Sequence, residues 1–151
     1  MIHQRYHIKS LTPLRVTKDG VDSFVGPATQ SCPKIYTVIE NNKILYVGMT
    51  CQPVRKRLYA AINANGNHGY YGYKFKHLDK LIIDIWIICD SNAFGNSSLN
   101  KTELETIEAE VAFLVRNIDG NWPRNQNEIH FHESGNYHRK LAKLIFDKSK
   151  T

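Results

Sequence analysis

Apolar positions recur along this chain at two spacings, and the switch between them marks where strands give way to helices. Residues 34–40, KIYTVIE, and 44–48, ILYVG, alternate or run apolar over strand-length stretches, with Asn41-Asn42-Lys43 reading as a turn between them. Pro53 suits the first position of a helix that continues to about Asn63, with Val54, Leu58, Ala61 and Ile62 as its apolar stripe. Residues 63–74, NANGNHGYYGYK, hold Gly66, Gly69 and Gly72 among tyrosines, a composition for a loop that approaches something closely. A short helical piece over 75–79 leads into residues 80–89, almost wholly apolar and β-branched or aromatic, which predict a central strand. Residues 91–100 read as a loop, and Thr102-Glu103-Leu104-Glu105 has capping-box spacing for a helix to about Asn117. A further loop precedes an extended stretch at 129–133 and a terminal amphipathic helix over 136–147. Residues 5–16 look extended but weakly patterned, and 17–33 read as a loop. No repeat or linker interrupts the chain. The expectation is one α/β (α+β) domain: a small mixed central sheet flanked by helices, its core at about 34–127, with an N-terminal extension over 1–33.

The hairpin at 34–48 contains a question of parity. A two-residue turn would pair Tyr36 with Val47 and send Tyr36 and Tyr46 to opposite faces. A three-residue loop at 41–43 pairs Tyr36 with Gly48 and Val38 with Tyr46, leaving Ile35, Thr37, Ile39, Leu45 and Val47 as a buried surface on the other face. A slip of one residue would scramble that surface, so burial favours the second register. Both phenols then share a face, beside a glycine.

Two helical residues could complete a site on that face. In the first helix Arg55 and Arg57 flank the apolar stripe, where a guanidinium can reach into a cleft and bind phosphate oxygens. In the helix over 102–117 the stripe is Leu104, Ile107, Val111, Leu114, Val115 and Ile118, and Glu108 falls near its middle. A carboxylate there needs an ion-pair partner or a cation.

The chain has 151 residues, 42% hydrophobic and 23% charged, with a net charge of +6. These values suit a soluble globular protein and permit a polyanionic partner without requiring one. Cys32, Cys51 and Cys89 form no metal-ligand or disulfide spacing, which suits a reducing compartment. The start of the chain lacks an apolar signal core, and the run at 81–89 is interrupted by Asp84 and too short for a bilayer. A cytoplasmic protein with no membrane partner is therefore expected.

Taken in order, Lys34-Ile35-Tyr36, Tyr46-Val47-Gly48, Arg57 before Leu58, Glu108 in Ile107-Glu108-Ala109-Glu110-Val111, and Asn125 in Trp122-Pro123-Arg124-Asn125-Gln126 resemble the GIY-YIG nuclease superfamily. Asn127 is an alternative for the late asparagine. Lys34 stands where the family's first glycine is usual. Ala61 stands one turn after Arg57, where relatives often carry a histidine or tyrosine; His68 or a tyrosine of the glycine-rich loop is a candidate to take over that duty. The compactness of the chain and its WPRNQNEIHFH segment look most like the small restriction-type members.

What the resemblance implies is a sequence-specific DNA endonuclease that hydrolyses phosphodiester bonds. Glu108 would be the sole protein ligand of one Mg²⁺ or Mn²⁺, with Tyr36, Tyr46, Arg57 and Asn125 as the other catalytic residues. Whether Tyr36 or hydroxide on the metal is the base stays open at this stage; a phenol with an ordinary pKa of about 10 needs it lowered, by Arg57, the metal or a nearby lysine. Double-stranded DNA is the expected partner, cut by a homodimer because the chain holds one site. Contacts to DNA are expected from Lys43, Arg55, His68, Tyr70, Tyr71, Lys74, Lys76, Arg124, Arg139 and Lys140. A structure-selective or nonspecific nuclease and a catalytically silent nucleic-acid-binding module are the competing expectations.

Overall fold

The computed structural model describes residues 1–69, 71–88 and 99–151; Tyr70, Cys89 and most of the loop predicted over 91–100 lie outside the described residues. Five strands form one sheet in the order β2-β1-β5-β3-β4, with β1 at Ile2–Leu11, β2 at Leu14–Thr17, β3 at Lys34–Glu40, β4 at Lys43–Thr50 and β5 at Ile82–Ile87. Helix α1 covers Val54–Ile62, α2 Lys101–Asp119 and α3 Asn136–Ser149. This is the α+β class expected from the sequence. Every pairing between the strands is antiparallel, however, so the sheet is not the mixed one anticipated. The stretch expected to be extended at 129–133 forms no strand.

Strand β5 is central, as its apolar run predicts, bonded to β1 on one side and β3 on the other. The N-terminal residues form a hairpin that supplies two of the five strands. Their alternation is real but partly polar: Gln4 is buried beside Tyr6 and Ile8, its amide nitrogen donating to Val25 O at 3.2 Å. Asp84, which breaks the apolar run of β5, is fully buried and answered from β1. Arg5 donates two bonds of 2.7 Å to its carboxylate, and His3 Nε2 lies 3.0 Å from Oδ1 with its ring stacked on Trp86. Burial opposes ionisation of Asp84, but the bonds from Arg5 and the close approach of His3 outweigh it and hold the carboxyl below its usual range.

The two faces of the sheet carry separate apolar clusters. One, with Tyr36, Val38, Leu45, Tyr46, Ile83 and Ile85, packs against Val54, Leu58, Ala61 and Ile62 of α1, the stripe predicted for that helix. The other, with Ile35, Ile39, Ile44, Val47 and Trp86, packs against Leu104, Ile107, Val111 and Val115 of α2 and Ala142, Ile145 and Phe146 of α3. Ile118, expected at the end of the α2 stripe, is exposed. The N-cap of α2 is Asn100, whose side chain accepts from the Glu103 N–H at 2.9 Å, rather than the expected Thr102.

Strand β4 is an edge strand, and the segment after α2 closes it. Gln126 uses both ends of its amide on Val47, accepting from its N–H and donating to its C=O at 2.9 Å each. Next to it, the Asn125 N–H donates to Leu45 O at 2.8 Å. At Leu45 and Val47 the edge thereby finds partners that an outer strand would have given it.

Candidate active site

The β3–β4 register places Tyr36 opposite Gly48 and Val38 opposite Tyr46, as burial required. The means differ from expectation. The turn has two residues, Asn41 and Asn42, both with positive φ (50° and 60°), as the tight turns that match strand twist demand. The odd residue is a bulge: Ile39 pairs with Ile44 and Val38 with Tyr46, leaving Leu45 unpaired. Leu45 therefore turns onto the same face as Tyr46, and Ile44 takes its expected place in the other cluster.

Gly48 is needed by the phenol that crosses it. A Cβ there would stand 2.4 Å from Tyr36 Cζ, 2.5 Å from its hydroxyl and 2.7 Å from Tyr46 Cε1. The Tyr36 ring is fully buried, and its hydroxyl meets that of Tyr73 at 2.5 Å. Tyr46 packs 6.1 Å from Tyr36 and edge-on to Tyr73 at 5.0 Å between centroids.

A cleft of about 540 Å³ opens beside β4, lined by Tyr46 and Met49 of that strand, Arg57 of α1, Glu105 and Glu108 of α2, and Asn127, Glu128 and His130 of the segment that clamps the edge. Gly69, Tyr71, Gly72 and Lys74 of the glycine-rich loop form another wall. Three elements thus bring Tyr46, Arg57 and Glu108 to one surface, with Tyr36 behind Tyr46 rather than in the lining. Asn125 is buried and does not line the cleft, and its side-chain oxygen has no hydrogen-bond partner among the described residues; Asn127 does line it.

The electrostatics of the cleft follow from burial. Desolvation, reinforced by the charge of Glu105 and opposed by Arg57, pushes the Glu108 carboxyl up to about 8. Glu105, on the same helix face, goes the other way: the bond from His132 at 2.8 Å, with help from Lys101, lowers it. Burial raises both Tyr36 and Tyr46 above the ordinary phenol value, Tyr36 the more completely enclosed, although Arg57 pulls each in the opposite direction. Burial disfavours the Arg57 cation, but the fields of Tyr36 and Tyr73 and a hydrogen bond to Tyr36 more than compensate. Lys34, which the sequence offers as a further source of positive charge, is fully buried and donates to Gln30 O, Cys32 O and Gln52 O at 2.6, 2.8 and 3.1 Å. It ties the loops flanking β3 and β4 together, a use that a glycine at that position could not serve.

Among the residues expected to touch DNA, Lys74 and Tyr71 line the cleft. Arg55 is directed away from it, over the Phe24 ring at 5.9 Å and onto Leu14 O at 3.4 Å. His68 is exposed and outside the lining, and Lys76 donates to Ala64 O and Tyr71 O, bracing the loop. Lys43 and Arg124 border a different hollow at the turn end of the hairpin, with Arg124 paired to Glu40 at 3.1 Å. Arg139 borders a groove between α2 and α3, and Lys140 is exposed on α3. Tyr70 lies outside the described residues. Ala61 is buried beneath Gly72 and offers no functional group. The sequence offers Tyr73 only as one of the tyrosines of the glycine-rich loop, without singling it out, and it carries no signal for the role of Gln126.

Among the described residues no three His, Cys, Asp or Glu side chains converge as metal ligands, and no helix is long and apolar enough to cross a membrane. Compared with known proteins, the chain finds no significant match to any family model, curated sequence or solved structure.

Proposed function

We propose that the chain is a metal-dependent DNA endonuclease of GIY-YIG type, of the sequence-specific restriction kind, acting in the cytoplasm on double-stranded DNA as a homodimer. The observation that carries this reading is the convergence of Tyr46, Arg57 and Glu108 on one cleft from β4, α1 and α2. These are residues of the types that phosphoryl chemistry uses, and they are far apart in the chain.

Arg57, a guanidinium that is cationic at any pH near neutral, binds the phosphate and offsets the charge that grows on it during attack. Tyr46 lines the same cleft. Because burial raises both phenols, neither is a phenolate at neutral pH; Tyr46 orients the attacking water as a neutral hydrogen-bonding group, with Tyr36 holding it from behind. The donor set fits a hard divalent cation: Glu108 offers carboxylate oxygens in a cleft where its lone charge is disfavoured, and such ions accept one or two carboxylates with water and phosphate oxygens completing the shell. The chemistry supplied by Mg²⁺ or Mn²⁺ held there is neutralisation of charge on the scissile phosphate and its departing oxygen. Lys74 and Tyr71, at the mouth, receive the flanking strand.

The test is incubation of plasmid DNA with the protein and Mg²⁺, then with Glu108→Ala and Arg57→Ala. The expected result is discrete fragments, with each variant slowed by about 100-fold or more. A smear in place of fragments would favour a nonspecific nuclease. Wild-type protein that leaves DNA intact with both Mg²⁺ and Mn²⁺ overturns the assignment.

A further inference from the structure

The glycine-rich loop approaches α1 so closely that a side chain cannot be fitted between them. Gly72 has φ of +75°, and a Cβ there would stand 1.8 Å from Ala61 O and 3.1 Å from Ala64 Cβ. This contact carries the next residue over the sheet. Tyr73 is buried, its ring stacked on Phe75 with centroids 4.6 Å apart and 16° between planes. Its hydroxyl meets that of Tyr36 at 2.5 Å, and Arg57 Cζ lies 6.0 Å from its ring centroid. One side chain therefore touches both Tyr36 and Arg57 without reaching the cleft surface.

We infer that Tyr73 is a positioning residue for the proposed cleavage, fixing the direction of the Tyr36 hydroxyl and, through it, the placement of Tyr46 and Arg57. The inference rests on the nuclease reading. A phenol O–H prefers the plane of its ring, where two opposite directions are open to it until a partner fixes one. Gly48 locates the Tyr36 ring but leaves the hydroxyl's direction undetermined. The bond to Tyr73 ties that direction to the Tyr73 hydroxyl, whichever of the two oxygens donates. It comes from a loop whose other residues, Gly69, Tyr71, Gly72 and Lys74, form a wall of the cleft, so loop and hydroxyl are set together. The packing role belongs to the ring, which phenylalanine would keep; the positioning role belongs to the hydroxyl alone.

Those two roles separate in Tyr73→Phe, compared with Tyr36→Phe and the double variant on a cleavable DNA. Tyr73→Phe should melt within a few degrees of wild type, keep its KM and lose about ten-fold in kcat. The double variant should be no slower than Tyr36→Phe, because groups that act as one unit do not add. Unchanged kcat in Tyr73→Phe, or losses that multiply in the double variant, would overturn the inference and leave the nuclease assignment standing. Wild-type protein that fails to cut would remove that assignment, and this inference with it.

Discussion

Glu108 shows how one side chain couples the proposed chemistry to the stability of the chain. Its carboxyl is pushed to about 8 from an ordinary 4.5. Between those values the folded chain holds a proton that the unfolded chain has released, so without metal this group lowers stability as pH rises from about 4.5 to about 8. Glu108→Gln, neutral throughout, lacks that slope. Urea denaturation in a chelating buffer should therefore show wild type losing stability relative to Glu108→Gln across this window, and Mg²⁺ should restore it at pH 8 in wild type only. A difference independent of pH would show that burial does not hold the proton. At Gly48 the constraint is steric. Placing a methyl 2.4 Å from Tyr36 Cζ forces the ring aside, and Gly48→Ala should cost about 1–3 kcal/mol, measured by thermal or urea melts. Tyr36→Phe should not relieve that cost, because the ring carbon remains after the hydroxyl is gone.

Between strands, the buried Asp84 locks the N-terminal hairpin to the centre of the sheet. A carboxyl held below its usual range contributes stability above the unfolded value that is lost as pH falls through the folded one. Asp84→Asn leaves Arg5 and His3 facing a neutral group and should cost about 3 kcal/mol at pH 7, shrinking below about pH 4. Urea melts at pH 7 and pH 3 measure both ends. The same residue explains why part of the sheet escaped the sequence. Asp84 read as an interruption of an apolar run, whereas its partner Arg5 belongs to the stretch over 5–16 that looked weakly patterned and His3 lies before it. Long-range pairing of polar residues leaves no local period. The β3–β4 register was legible because an apolar face demanded it; the bulge at Leu45 was not, since a longer turn and a bulge satisfy the same parity. The stripe of α1 and the position of Glu108 were legible from helical spacing, while Gln126 and Tyr73 act through contacts that no spacing encodes.

For the whole molecule, a net charge of +6 attracts DNA without saying where. The cleft narrows that choice to Arg57 and Lys74, whereas Lys140 stands exposed on α3. Binding measured over a salt series should weaken linearly in log–log form; Lys74→Ala should reduce the slope by about one, and Lys140→Ala should leave it unchanged. Equal effects of the two substitutions would place the DNA elsewhere. The clamp of Gln126 on Val47 bears on how two copies could share one duplex. A dimer built by extending the sheet through β4 would first have to strip that amide from the strand. Paired protomers cutting opposite DNA strands would instead meet through helices or the short β2 edge, keeping each cleft intact while the partner docks.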